Sequence, residues 1–150
     1  MSSLMRCINV IARCGNLRRS EQLLPVGLTG NQHTYILNIC RNPGITQDQL
    51  ARMIYINKSN VARQAAQLEQ AGFIERRVDE QDKRQMRLYP TQKARDALPA
   101  ISQALREWNE YLNAEFTEEQ RAMLEQMMEK VMNRARAFID AQSGREGGAK

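Results

Sequence analysis

Four side chains that can bind nucleic acid fall within one short stretch of the chain: Lys58, Asn60, Arg63 and Gln64. Lys and Arg donate hydrogen bonds to O6 and N7 of guanine, and Asn and Gln pair with N6 and N7 of adenine. At helical spacing these side chains, together with Gln67, lie opposite an apolar side formed by Val61, Ala65 and Leu68. The stretch therefore predicts an amphipathic helix whose polar side contacts base edges or the phosphate backbone of DNA.

A shorter helix is predicted just before this one. Thr46 can cap it, because the Thr46 hydroxyl can accept from an early backbone N–H while the side chain of Gln49 reaches back. The following helix begins near Asn57 or Ser59, either of which can be its N-cap, and ends at Gly72. Two short helices joined by a turn form a helix-turn-helix. Residues at the helix starts that are further predicted DNA contacts are Thr46, Gln47 and Ser59.

The sequence pattern changes from helical to alternating after Gly72. Alternating apolar residues predict strands at 74–78 and 86–88, and the charged segment 79–85 between them predicts an exposed loop. A helix-turn-helix followed by such a ribbon is a winged helix, whose tip reaches toward the phosphate backbone or the minor groove. The cationic candidates for that contact are Arg77, Lys83 and Arg84. The alternative is a stable small fold whose charged loop is only solvated.

The composition is that of a globular protein with an excess of positive charge. The 150 residues carry a formal net charge of +5 and a pI near 9.4, which favours an anionic partner such as nucleic acid. No apolar run approaches the ~20 residues needed to cross a bilayer, and the N-terminus lacks the apolar centre of a secretory signal. We therefore expect the protein in the cytoplasm, without a membrane partner.

Few residues suit catalysis or metal binding. The chain has one histidine, no glycine-rich phosphate loop and no nucleophile motif, so we expect neither an enzyme nor a cofactor. The cysteines are odd in number and lack zinc-type spacing, which argues against a disulfide framework and a metal site. They are Cys7, Cys14 and Cys40.

Helices are predicted on both sides of the helix-turn-helix and its ribbon. They cover about 3–24, 31–41 and, beyond Pro90, a long segment that Pro99 kinks or interrupts. Thr117 and Gln120 repeat the capping-box pattern at the start of a last helix, and residues 143–150 are expected to be a disordered tail. The predicted fold is mainly α with a small β-hairpin wing. It comprises a winged helix-turn-helix lobe at 31–90 and helical dimerisation regions at 1–30 and 91–142.

The flanking helices carry more apolar residues than a winged helix needs for its own core. A second copy of the chain is the simplest partner, because a two-fold dimer places two recognition helices one DNA turn apart, roughly 34 Å, on a pseudo-palindromic site. The alternatives are that the helices pack on their own domain or on a different protein.

With these elements placed, the chain resembles the MarR family of bacterial transcriptional regulators along nearly its whole length. The resemblance lies in segments that read TQDQLA, NKSNVARQAAQLEQAGFIERR and DEQDKRQMRLYPT, with helical arms on both sides. It implies that the helix at 58–71 lies in the major groove, and that Arg84 enters the minor groove and is steadied by Asp82. The chain departs from the family's usual wing at Gln81, where the family commonly has Arg.

The resemblance also implies an effector, commonly a small aromatic acid, in a crevice between the dimer helices and the DNA-binding lobe. Residues that could line it are His33, Tyr35, Trp108 and Tyr111. Packing is an equal alternative for the last two. Another branch of the family senses peroxides through a cysteine near the start of the first helix, where this chain has Cys7. The stronger expectation is that Cys7 and Cys14 are small buried residues on one helical face.

Together these features predict a homodimeric repressor whose binding to double-stranded DNA is modulated by a small organic molecule. The first alternative is a repressor that senses peroxide through Cys7. The second is a winged-helix assembly module that does not bind DNA. The basic helix face and wing disfavour that module, because assembly surfaces usually present aromatic and aliphatic anchors.

Overall fold

The computed structural model describes residues 3–146. It is mostly helical with a small antiparallel sheet, so the predicted fold class is confirmed. The helices are α1 (Leu4–Leu23), α2 (Gln32–Arg41), α3 (Gln47–Ile54), α4 (Lys58–Gln70), α5 (Gln92–Leu112) and α6 (Glu118–Glu146). The strands are β1 (Ile45–Thr46), β2 (Ile74–Val78) and β3 (Met86–Pro90), and a 3-10 turn at Leu24–Val26 follows α1.

Local side-chain hydrogen bonds fix where α3 and α4 begin. The Thr46 hydroxyl accepts from the N–H of Gln49 at 3.1 Å, and the Gln49 side chain accepts from the N–H of Thr46 at 3.0 Å. The predicted capping box is therefore confirmed. The side chain of Asn57 accepts from the N–H of Asn60 at 2.8 Å, which identifies Asn57 rather than Ser59 as the N-cap of α4.

Residues with a left-handed backbone conformation lie shortly before and just after α4. Gly72 has φ of 82° just past the helix, as predicted. Tyr55, in the turn between α3 and α4, has φ of 55°, a region that is unfavourable for residues with a side chain. The backbone N–H groups of Tyr55 and Ile56 both donate to the carbonyl of Ala51, which closes the turn.

The sheet has three antiparallel strands in the order β1–β3–β2. Leu88 of β3 pairs with Ile45 on one side and with Arg76 on the other. Strands β2 and β3 are the predicted ribbon, and together with the loop at 79–85 they form the wing. Strand β1 was not predicted, because two residues cannot show a periodic pattern. It ties the wing to the chain just before α3.

The core of the lobe extends into the flanking helices. Phe73, Leu68 and Leu88 are fully buried in one cluster with Leu23 of α1 and Ile101 of α5. Residues up to Trp108 form one compact unit, and residues from Asn109 onward form a second. The first unit therefore combines the lobe with parts of both predicted dimerisation regions.

Helix α5 runs through Pro99 without a break, so the predicted interruption does not occur. Buried residues on both sides of the proline, Ala97 and Ile101, anchor the two halves of the helix in the core. Their packing offsets the hydrogen bond that proline cannot donate.

Helix α6 begins with the predicted capping box between Thr117 and Gln120, with hydrogen bonds of 3.0 and 3.2 Å. It continues to Glu146, so a disordered tail from Ser143 was predicted too early. The hydroxyl of Ser143 donates to the carbonyl of Ile139, a bond that fits a helix interior. Residues 147–150 of the predicted tail lie outside the described residues. None of the described helices is long and apolar enough to span a membrane.

Candidate nucleic-acid interface

Helix α4 has the two-sided character that the sequence predicted. Val61, Ala65 and Leu68 are fully buried, whereas Lys58 and Arg63 are exposed. Three further exposed residues lie at helical spacing from Arg63 and extend the polar side. They are Ser59, which precedes Arg63, and Gln67 and Gln70, which follow it. Gln67 was predicted on this side, whereas Gln70 was not. The spacing of seven residues from Arg63 is the signal that could have found Gln70.

Two of the predicted contacts on α4 are turned away from the most exposed side. The amide of Gln64 accepts a hydrogen bond from Gln32 of α2 at 3.4 Å, and Gln64 is half-buried. The side-chain oxygen of Asn60 accepts from the Arg63 guanidinium. Asn60 and Gln64 both line a cleft whose other wall includes Tyr35 of α2. Their contact with DNA stays a prediction.

The two predicted contacts at the start of α3 have structural roles. Thr46 is buried, with 7% of its surface exposed, and its hydroxyl is used in the capping box. Gln47 is half-buried, and its side-chain oxygen has no hydrogen-bond partner. Neither position shows the exposed polar group that Lys58 and Arg63 show.

In the loop of the wing, the carboxylate of Asp82 holds the exposed side chain of Arg84. Asp82 accepts from the backbone N–H of Arg84 at 3.1 Å and from Nε of the same residue at 3.2 Å. The Arg84 side chain is 90% exposed. These bonds lower the pKa of Asp82, so the carboxylate that holds Arg84 stays ionised. Lys83 is exposed beside them.

A second group of contacts fixes the base of the wing. Arg87 of β3 donates to Asp79 at 3.0 Å and to the carbonyl of Gly44 at 2.8 Å. Arg77 of β2 lies over the ring of Tyr89 at 4.4 Å and donates to Glu75 at 2.6 Å. The strands are thereby tied to each other and to the loop before β1, and the side chain of Arg77 remains more than half exposed.

Known proteins with the same arrangement identify the family. A sequence profile described as the MarR family matches residues 26–85. The HTH-type transcriptional regulator YybA of Bacillus subtilis (strain 168), itself uncharacterised, is 31% identical over 131 residues, which are 87% of this chain and 87% of that protein. The chain belongs to the MarR family.

Solved structures of MarR proteins agree with this assignment. A crystal structure of MarR superposes with a TM-score of 0.85 at 29% identity, over 93% of this chain and 95% of that chain. A MarR family regulator from Listeria monocytogenes, crystallised with a 26mer DNA, gives 0.81 at 28% identity over 91% of each chain. This MarR-family protein is thus a DNA-binding transcriptional regulator, in a family of regulators rather than of enzymes.

The residues predicted to line an effector crevice do not share one environment. His33 is buried, with Nδ1 3.1 Å from the carbonyl of Gly30. Burial lowers the pKa of this imidazole more than the hydrogen bond raises it, which favours the neutral ring. Tyr35 is buried at the edge of the cleft beside α4. Trp108 is half-buried near Gly15, and Tyr111, in the second unit, is 74% exposed.

The cysteines of α1 are not buried as expected. Cys7 and Cys14 are both exposed, and Cys40 of α2 is partly buried. The expectation was wrong because α1 buries only Gly15 and Leu23 in this chain. Within residues 3–146, no group of three or more His, Cys, Asp or Glu side chains is placed to hold a metal ion.

Proposed function

We propose that this MarR-family protein is a homodimeric repressor that binds a pseudo-palindromic operator and is modulated by a small organic molecule. The observation that carries the proposal is the pairing of an exposed polar side on α4 with an Arg84 side chain held at the tip of the wing. The first suits the major groove and the second suits the backbone or the minor groove. A protein with this role works in the cytoplasm, where bacterial DNA is.

Exposed apolar residues support a second copy as partner. In the first unit, α1 exposes about half or more of the surface of Leu4, Met5 and Leu17. In the second unit, none of the described side chains of α6 is buried. Its exposed apolar residues are Met123, Leu124, Met127, Met128, Met132, Phe138 and Ile139. Apolar surface on this scale is rare in a monomer and favours association between like chains.

The cleft beside α4 is the best-supported effector position. Its volume is about 310 Å³, and Asn16, Tyr35 and Arg63 are among its lining residues. A ligand that prefers one position of α4 would shift the fraction of dimers that fit the operator.

Arg63 is a cation among the lining residues of this cleft and favours an acidic ligand. Asn16 Oδ1, Arg19 Nε and Gln22 Oε1, all on α1, are buried without a hydrogen-bond partner. Arg19 makes no ion pair within the described residues, and burial lowers its pKa. Arg19 is not among the lining residues of the cleft, and a carboxylate that reached Nε of Arg19 would provide the acceptor that this atom lacks.

A peroxide-sensing repressor is the second candidate. The exposure of Cys7 and Cys14 favours it, because a sensor thiol must be reachable by its oxidant. It differs from the first candidate in the signal, and both share the same DNA-binding surface.

The proposal is tested by incubating the purified protein with a pool of random duplexes, with and without peroxide, and sequencing the bound fraction. We expect a pseudo-palindrome in the untreated sample. Loss of enrichment with peroxide would favour the thiol sensor over the small-molecule effector. Enrichment of no sequence in either sample would refute the repressor and favour an assembly module.

Arg84→Ala then tests the wing on the selected duplex. We expect weaker binding and a plot of log affinity against log salt that is shallower by about one, because one phosphate-neutralising cation is lost. Arg13→Ala, which removes an exposed cation of α1, is the charge-matched control. If both variants behave like the unmodified protein, the wing does not contact DNA.

A further inference from the structure

One carboxylate joins the two elements of the lobe that are proposed to contact DNA. Oδ2 of Asp48, in the first turn of α3, accepts a hydrogen bond from Nζ of Lys58 at 3.0 Å and a second from Nε2 of Gln85 at 3.2 Å. Lys58 is the first residue of α4, and Gln85 ends the loop of the wing. A single oxygen atom thus bridges the start of the recognition helix and the wing.

Backbone hydrogen bonds connect Gln85 to the rest of the wing loop. Its N–H donates to the carbonyl of Asp82 at 2.9 Å, and its carbonyl accepts from the N–H of Asp79 at 2.9 Å. Asp82 in turn holds Arg84. A restraint on the side chain of Gln85 therefore acts on the segment that carries the exposed cation of the wing.

We propose that Asp48 is a positioning residue for DNA binding, which fixes the loop of the wing relative to the start of α4. The inference rests on the proposed DNA contacts of Lys58 and Arg84. Without the bridge, the loop would still close through its backbone bonds but would lose its side-chain tie to α3. The protein would then have to order the loop when it meets DNA, which weakens binding.

The sign of a mutational effect separates this role from simple electrostatics. Asp48 is a negative charge beside a surface that must approach phosphates, so its removal alone should strengthen binding. Positioning acts in the opposite direction. A variant without Asp48 that binds its operator more weakly, despite a gain of one positive charge, identifies the bridge as the stronger effect.

Asp48→Ala and Glu80→Ala form a matched pair for this test. Each removes one carboxylate, and Glu80 is exposed in the loop of the wing, with no hydrogen bond or ion pair in the described structure. Affinities for the selected operator and for an unrelated duplex are measured by fluorescence anisotropy. We expect Asp48→Ala to weaken operator binding about three- to ten-fold and to leave the unrelated duplex no weaker. Glu80→Ala should weaken neither.

Equal strengthening by Asp48→Ala and Glu80→Ala would overturn the proposal. So would an equal loss on both duplexes together with a lower melting temperature, because that result indicates a folding role at the start of α3. Gln85→Ala breaks the other hydrogen bond without a change of charge. We expect it to weaken operator binding and to add little in the Asp48→Ala background, as expected of partners in one interaction.

Hydrogen exchange of residues 79–85 in the DNA-free protein tests whether the bridge from Asp48 restrains the wing loop, and it needs no operator. Exchange should be faster in Asp48→Ala and Gln85→Ala than in the unmodified protein, and unchanged in Glu80→Ala. Unchanged exchange in all three variants would overturn the positioning role. Failure of the unmodified protein to enrich any duplex would instead refute the proposed function, whatever the exchange result.

Discussion

Helix α4 completely buries Val61, Ala65 and Leu68, whereas α6, more than twice as long, has no buried residue among those described. Both are amphipathic in sequence. The difference lies in what surrounds them: α4 packs on a core that its own chain supplies, and the apolar residues of α6 have no such cover within the second unit. An apolar stripe in a sequence predicts burial without saying which chain provides the other surface.

The largest effect is expected in the core of the lobe. Phe73→Ala should lower the free energy of unfolding by about 3–5 kcal/mol, because it removes a fully buried ring and leaves a cavity. Urea denaturation followed by circular dichroism measures this loss, which should not depend on protein concentration. Phe138→Ala, on α6, should have a smaller effect that fades at low protein concentration, where dimers dissociate, because Phe138 is exposed in the single chain. Equal, concentration-independent losses would contradict the comparison.

A charge on the apolar stripe of α6 should act on association rather than on folding of the lobe. Met128→Glu is expected to raise the dimer dissociation constant about tenfold or more, since it places a carboxylate where a partner chain would bury it. Sedimentation equilibrium gives the constant. Gln126→Glu makes the same change of charge on the same helix and should alter association much less. If Met128→Glu remains as dimeric as the unmodified protein, α6 is not the dimer surface.

The two capping boxes offer a matched pair of smaller changes. Thr46→Ala should lower the free energy of unfolding by about 1 kcal/mol, because it leaves the N–H of Gln49 without its partner at a buried helix start. Thr117→Ala removes the equivalent bond at an exposed helix start and should cost about half as much. Thermal unfolding of the two variants decides the order, and a larger loss for Thr117→Ala would contradict it.

The smallest effect concerns acid sensitivity. Arg76 donates to Glu69 from Nη2 at 3.0 Å and from its backbone N–H at 2.9 Å, and these bonds lower the pKa of the Glu69 carboxyl. The stabilisation is therefore present above the usual Glu pKa and is lost as pH falls through the lowered value. In Glu69→Gln, the free energy of unfolding should fall by about 0.5 kcal/mol less on acidification than in the unmodified protein. The effect is small because the pair is partly exposed.

Unfolding experiments from pH 6 down to pH 3 measure this change. Glu125→Gln on α6 makes the same change of charge at an exposed position. It should leave the pH dependence as it is. A parallel loss of pH dependence in both variants would mean that the ion pair with Arg76 has no separate effect.

The features that the sequence predicted correctly depend on residues close together in the chain. Both capping boxes join residues three apart, and the wing hairpin joins neighbouring strands. The end of α4 at Gly72 follows from the conformations that glycine alone adopts easily. Each of these is visible as a residue type at a fixed short spacing.

The features that were missed depend on distant residues. Strand β1 forms only because Ile45 meets Leu88, and Gln64 turns into the cleft because Gln32 lies there. The bridge from Asp48 to Gln85 spans 37 residues. The burial of Cys7 and Cys14 was predicted from helical spacing alone, and both are exposed in the described structure. The spacing of apolar residues predicts which face of a helix is apolar, but it does not predict which element packs against that face.

The position of β3 between β1 and β2 has a consequence for motion. The wing cannot slide or peel away without breaking a ladder on each side of β3, where Leu88 is paired twice. The hydrogen bonding on both sides of β3 therefore opposes a hinge at the base of the ribbon and leaves the loop at 79–85 outside this restraint. An effector that moves the base of the ribbon while the sheet stays intact would have to move the helix-turn-helix with it.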